Sequence, residues 1–197
     1  MNAIQIGHLL RASTSGFTVG CSVSQLEAPS FGALVRAPLG NDYQVYGLIY
    51  DIHIDEDGLV RQLVTAGNIS EEVMRDNRER RIVPVEMSAL TVGYQEGERI
   101  RHLLPPRPPL SLDVIYLCTP EELTRFVTAG RFGYFRHLLR AREAPLGELL
   151  AAHILEVQRK TRLQEWTEAA VHELITLLRD DYPTLVSVLG ALGEVVS

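Results

Sequence analysis

Residues 31–54 read FGALVRAPLGNDYQVYGLIYDIHI, and the architecture of the chain follows from them. Two apolar runs flank Gly40-Asn41-Asp42, residues that tolerate positive φ, so the stretch reads as a β-hairpin. Side chains alternate along the second run. Tyr46, Leu48, Tyr50, Ile52 and Ile54 fall on one face; Tyr43, Val45, Gly47, Ile49, Asp51 and His53 fall on the other. A strand has a period of two, which predicts that the first face is buried and that the second turns polar near its end. Gly47 removes a side chain in mid-strand. Such a glycine marks a bend, a bulge or close backbone approach, as at the corner of a small barrel.

Working outward, residues 4–11 alternate around Ile4, Ile6, His8 and Leu10 and read as a first strand. Ser13-Thr14-Ser15-Gly16 is a turn, and residues 17–23 form a second strand with Phe17, Val19 and Cys21 on one face. Beyond the central hairpin, Asp55-Glu56-Asp57-Gly58 is an acidic turn and residues 59–65 continue as extended chain. Residues 68–81, NISEEVMRDNRERR, break the β pattern. Ser70 ahead of Glu71 and Glu72 offers an N-cap and an acidic first turn, predicting a short surface helix or a mobile loop, with a solvated face expected and a partner-docking loop as the alternative. Strand composition returns over residues 82–94, 100–104 and 112–118. Between the last two, Pro105, Pro106, Pro108 and Pro109 force an extended path. Short strands punctuated by turns, without alternating helices, predict a small closed barrel or a sandwich, the barrel being favoured because closure removes exposed edges.

The period changes at Thr119-Pro120-Glu121-Glu122, which supplies an N-cap, a proline at the first helical position and acids in the first turn. Only helices are expected beyond it. One stripe holds Leu146, Leu149, Leu150, His153, Ile154 and Val157; the next holds Leu163, Trp166, Ala170, Leu174, Leu177 and Leu178. The chain is therefore an α+β, two-part protein: a small N-terminal β-barrel over residues 1–118 and an all-helical segment over residues 119–197. From Thr184 to Val196 the sole charge is Glu194. A helix apolar nearly all round must be buried, which predicts an association surface or a lid on the barrel, with Gly190 and Gly193 where a neighbour packs closely. A homo-oligomer is expected, intramolecular packing being the alternative.

At 197 residues the chain can bury one ample core or two small ones. Its net charge of -6 argues against broad nucleic-acid binding, so direct nucleic-acid binding is not expected. Cys21 and Cys118 have neither metal-ligand spacing nor the density of a disulfide framework, which makes a reducing, cytoplasmic setting the default. No charged segment followed by a long apolar run opens the chain, and no tract is long enough to span a bilayer, so neither a signal peptide nor a membrane role is expected.

The opening IGHLLRASTSGFTVGC, then FGALVRAPL, VYGLIYDI and the proline-flanked VIYLCTPEEL, together resemble the HAS barrel. That barrel is the small N-terminal β-domain of HerA-type DNA-translocating ATPases and, in related form, of ATP synthase α and β subunits. The resemblance covers roughly residues 4–123, with its glycine-led strands at 32–35 and 47–52. It implies ring assembly and partner docking. HerA-type proteins continue into a nucleotide-binding domain whose G-x-x-x-x-G-K-[ST] loop cradles phosphate. Here the one lysine, Lys160, lies in a predicted helix and follows no glycine loop. The family's ATPase activity and catalytic residues therefore do not carry over. The expected function is that of a non-catalytic assembly or adaptor protein, docking to a HerA-type ATPase or a nuclease, with no catalytic, cofactor-binding or metal residue assigned.

The alternative is a metal-dependent hydrolase or nuclease centred on Asp51, His53 and Asp55. These sit at i, i+2 and i+4 on one strand face, where carboxylates and imidazole can converge on a divalent ion. A solvated strand end explains the same residues. Residues 131–142, RFGYFRHLLRAR, interleave arginines with aromatics, a pattern that holds phosphate or stacks bases. The plainer expectation is an amphipathic helix with aromatics in the core and arginines in water. His153 and His172 are expected as core or boundary residues, and Ser13-Thr14-Ser15 as a turn without a nucleophile's partners.

Overall fold

The computed structural model describes residues 3–22, 29–54 and 84–196. Among these, seven strands form one sheet: β1 (Ile4–Ala12), β2 (Gly16–Ser22), β3 (Leu34–Pro38), β4 (Tyr43–Ile54), β5 (Pro84–Glu96), β6 (Arg99–Arg101) and β7 (Val114–Leu117). Every neighbouring pair is antiparallel, in the order β2-β1-β7-β3-β4-β5-β6. β2 also pairs with β5 from Gly16↔Leu90 to Ser22↔Pro84, which closes six strands into a barrel and leaves β6 as a flap on β5. Helices follow: α1 (Pro120–Thr128), α2 (Phe135–Arg140), α3 (Leu146–Lys160), α4 (Gln164–Leu177) and α5 (Tyr182–Val196). The barrel-then-helices architecture expected from the sequence is the one observed. The acidic turn at residues 55–58 and the segment 68–81 lie outside the described residues.

The β3–β4 turn forms as expected, with Asn41 and Asp42 at φ 50° and 54°. Tyr43 N–H donates to the Gly40 carbonyl and Leu39 N–H to the Tyr43 carbonyl. A six-stranded barrel has room only for its own side chains. Ile6, Leu9, Val35, Val45, Ile49 and Met87 fill this one, each at most 1% exposed. Gly47 faces the lumen. A Cβ there would lie 2.6 Å from Phe17 Cε1, so the Phe17 ring occupies the space that the glycine vacates.

The face assignment from the sequence needs correction. Tyr43, Val45 and Ile49 line the lumen, while Tyr46 and Leu48 point outward onto the helices. Both faces of mid-β4 are therefore buried, because the helices cover the outside of β3, β4 and β5. A register shift between Ile49 and Asp51 then moves Ile52 to the lumen side, against simple alternation. β1 shows the same effect. It is bulged against β7 and again against β2, so Leu9 enters the lumen and Leu10 is left exposed.

The second core joins Leu34, Tyr46, Leu48 and Val92 of the barrel to the inner faces of all five helices. α1 starts as its sequence predicts. Thr119 Oγ accepts from Glu122 N–H, and a Glu122 carboxylate oxygen accepts from Thr119 N–H at 2.9 Å. The other oxygen of Glu122 lies 2.8 Å from Arg36 Nε, a charge contact that ties α1 to β3. α5 packs along α3 and buries Val188 and Leu192. Intramolecular packing thus accounts for that stripe. Gly190 and Gly193 do not mark close packing, since nothing lies within 4 Å of a Cβ built on either. Leu177, expected in the α4 stripe, is 43% exposed. Among the described residues no helix is long and apolar enough to cross a membrane.

Because both faces of β4 are covered, Val45→Asp and Leu48→Asp are expected to be equally disruptive. A buried unpaired carboxylate costs several kcal/mol, on the order of the whole stability of a small domain. Circular-dichroism melts should show both variants unfolded or severely destabilised. A Val45→Asp protein that melts like wild type would contradict the filled lumen.

Candidate functional site: a cleft between the barrel rim and α2

Histidine chemistry concentrates at the junction of barrel and helices. His153 of α3 is fully buried. Its Nδ1 lies 3.1 Å from the Gly32 carbonyl and its Nε2 lies 3.0 Å from the Tyr134 hydroxyl. A carbonyl only accepts, so Nδ1 carries the proton and donates, and Nε2 accepts from Tyr134. The imidazole is thereby neutral, and burial pushes its pKa down to about 4. Burial also holds the Tyr134 hydroxyl well above its ordinary value. Neither group reaches solvent, so the pair is a buried connector of barrel to helices. Gly32, at φ 83°, permits it: a Cβ there would sit 2.8 Å from His153 N, inside the α3 backbone. His172, by contrast, lies on the exposed face of α4.

Asp51 and His53 are exposed at the end of β4, opposite Ser88 and Glu86, and Asp55 lies outside the described residues. Among the described residues no group of three or more His, Cys, Asp or Glu side chains converges. In residues 131–142 the aromatics and arginines separate. Tyr134 and Phe135 are fully buried, and Phe132 packs against Trp166, the tilted rings 5.4 Å apart. Bases cannot stack on these rings. Arg131, Arg136, Arg140 and Arg142 are on the wet side. Arg136 donates to the His102 carbonyl, which also accepts from His137.

The arginines at the end of α2 do meet the barrel. A cleft of about 640 Å³ opens between the β1–β2 turn, mid-β4 and β5 on one side and α2 with its following loop on the other. The turn is built by Ser13, whose Oγ accepts from the N–H groups of Ser15 and Gly16, 3.2 Å away in each case. Ser15 in turn accepts from Thr91 N–H at 3.0 Å, which pins the turn to β5. The helical side contributes His137, Arg140, Arg142 and Glu143; the barrel contributes Arg11, Tyr50 and an apolar wall that includes Leu90, with Leu104 from the loop after β6. Thr91 also borders the cleft. It is 1% exposed, pairs with Gly47 on the lumen-facing side, and its hydroxyl has no partner among the described residues. Among the described residues three arginines and one glutamate line the cleft, so an acidic protein carries a locally positive recess there.

The sequence pattern gave the turn and the arginines but not their meeting, and it gave no signal for Arg11, Tyr50 or Thr91. Compared with known proteins, the chain matches no family model and no curated protein sequence.

His153 sets a pH dependence whose sign follows from its depressed pKa. Unfolded, the imidazole binds a proton below about pH 6.5; folded, it stays neutral down to about 4. The unfolded state binds more protons across that window, so stability is complete above it and falls as the pH drops through it, by on the order of 3 kcal/mol. Burial lowers His102 and His137 as well, with the same sign. Urea unfolding of wild type at pH 7 and pH 5 should show roughly half of this loss, since pH 5 lies inside the window. His153→Leu should be weaker at both values, yet lose less between them.

Proposed function

We propose that the chain is a non-catalytic assembly or adaptor protein with a HAS-type barrel, which docks to a HerA-type DNA-translocating ATPase or an associated nuclease. The closed six-stranded antiparallel barrel is compatible with that identity, and the glycine-led strands at residues 32–35 and 47–52 support it. The observation that carries the reading is the filled lumen. A barrel with no room inside acts through its outer surface. Part of that surface is covered by the helices. On another part, the loop before β7 runs along β1: Leu112 N–H donates to the Leu9 carbonyl, and Leu110 and Leu112 stand 69% and 76% exposed beside Leu10. Apolar side chains grouped on a surface mark a protein contact more often than an accident of composition.

Docking through this flank makes the protein's oligomeric state and partner capture depend on it. Light scattering of the full chain, alone and mixed with the HerA-type ATPase of the same organism, tests the proposal. Wild type is expected to self-associate and to co-elute with the ATPase. Leu110→Asp/Leu112→Asp, which touches no core position, should abolish co-elution at an unchanged melting temperature. Co-elution that survives the double variant would refute the docking surface. Deleting residues after Asp181 should instead lower the melting temperature, because Val188 and Leu192 leave the second core. The purified chain is also expected not to turn over ATP, and activity that follows the protein through further purification would overturn the non-catalytic reading.

A further inference from the structure

We infer that the cleft between the barrel rim and α2 binds a free, nucleotide-sized phosphate ester. Its charged lining suits an anion. Arg140 and Arg142 line it with no ion pair to any described residue. Arg11 joins them; its pairing with Glu86, at 3.5 Å and largely exposed, is weak enough to yield. Guanidinium groups grip phosphate oxygens through paired N–H donors. Glu143 is the opposing charge, and it leaves the recess with an excess of cations. Thr91 borders the recess but pairs with Gly47 on the lumen-facing side of β5, so its hydroxyl is no part of the anion site.

The same cleft has apolar lining, from Tyr50, Leu90 and Leu104. A volume of about 640 Å³ exceeds the needs of a lone phosphate and falls among small-molecule sites. A phosphate held by the arginines and a flat ring against Tyr50 would use both kinds of lining. The site is distinct from the leucine flank proposed for docking, and it requires no bond to be made or broken.

Calorimetric titration of the full chain with ADP, inorganic phosphate and adenosine tests the assignment. ADP is expected to bind saturably and more tightly than either fragment. Arg140→Gln/Arg142→Gln should weaken ADP by at least about tenfold, the loss expected for charge-assisted contacts. Tyr50→Leu keeps an apolar wall and removes the ring face. It should bind ADP several-fold more weakly yet bind inorganic phosphate as wild type does, which a general loss of the fold would not produce. Leu110→Asp/Leu112→Asp should bind ADP as wild type does, so the docking proposal can fail without this one. Absent ADP binding, binding indifferent to the arginine and tyrosine variants, or inorganic phosphate bound as tightly as ADP would each overturn the inference.

Discussion

A single buried imidazole couples the two parts of this protein. His153 takes the Gly32 carbonyl from the barrel and the Tyr134 hydroxyl from the segment leading into α2. Each of these polar groups would be costly without its partner in a dry interior. The three therefore fix one another's positions, and with them the placement of α3 against the barrel. Around them runs a chain of ring contacts. Tyr46 of β4 meets Phe126 of α1 at 4.8 Å, Phe126 meets Tyr134 at 5.2 Å, and Tyr134 meets His153 at 5.6 Å. Apolar burial supplies most of the attraction between the parts; the imidazole supplies the register.

That coupling explains why β4 has two dry faces. A barrel standing alone would leave the outside of each strand to water. Here Leu48 is as buried outside the barrel as Val45 is within it. The helices thereby depend on the barrel for part of their core, since Leu34, Tyr46, Leu48 and Val92 belong to both. They also determine what surface is left over. Among the described residues, one flank is covered and the lumen is filled, which leaves the rim and the β1 side open.

Local signals were legible in the sequence where local physics decides. Asn41-Asp42 announced a turn, Thr119 with Glu122 announced a helix start, and the 146–157 stripe announced α3. Strand bulges were not legible. Nothing in residues 4–11 says that Leu9 rather than Leu10 turns inward, because the bulge is imposed by pairing with β7 and β2. The covered outer face of β4 was hidden for a related reason: alternation reports one dry face and is silent when both are dry. The cleft was hidden by topology. Arg11, Tyr50, Thr91 and Arg140 come from four elements spread over most of the chain, and only closure of the barrel with α2 placed above its rim brings them together.

The charge pattern favours a compact ligand over a polymer in that cleft. The chain carries a net charge of -6, while its recess presents three arginines against one glutamate. At physiological ionic strength fields are screened over about 8 Å, so a small anion inside the recess is governed by the arginines around it. A nucleic-acid strand would extend well beyond that distance and lie along surface that is acidic on average. It would also release few counterions for its length, since few cations would meet its phosphates. Apolar contact with Tyr50, Leu90 and Leu104 is likewise available once, at the recess, rather than repeated along a track. Both the electrostatics and the shape therefore reward a molecule that ends where the cleft ends.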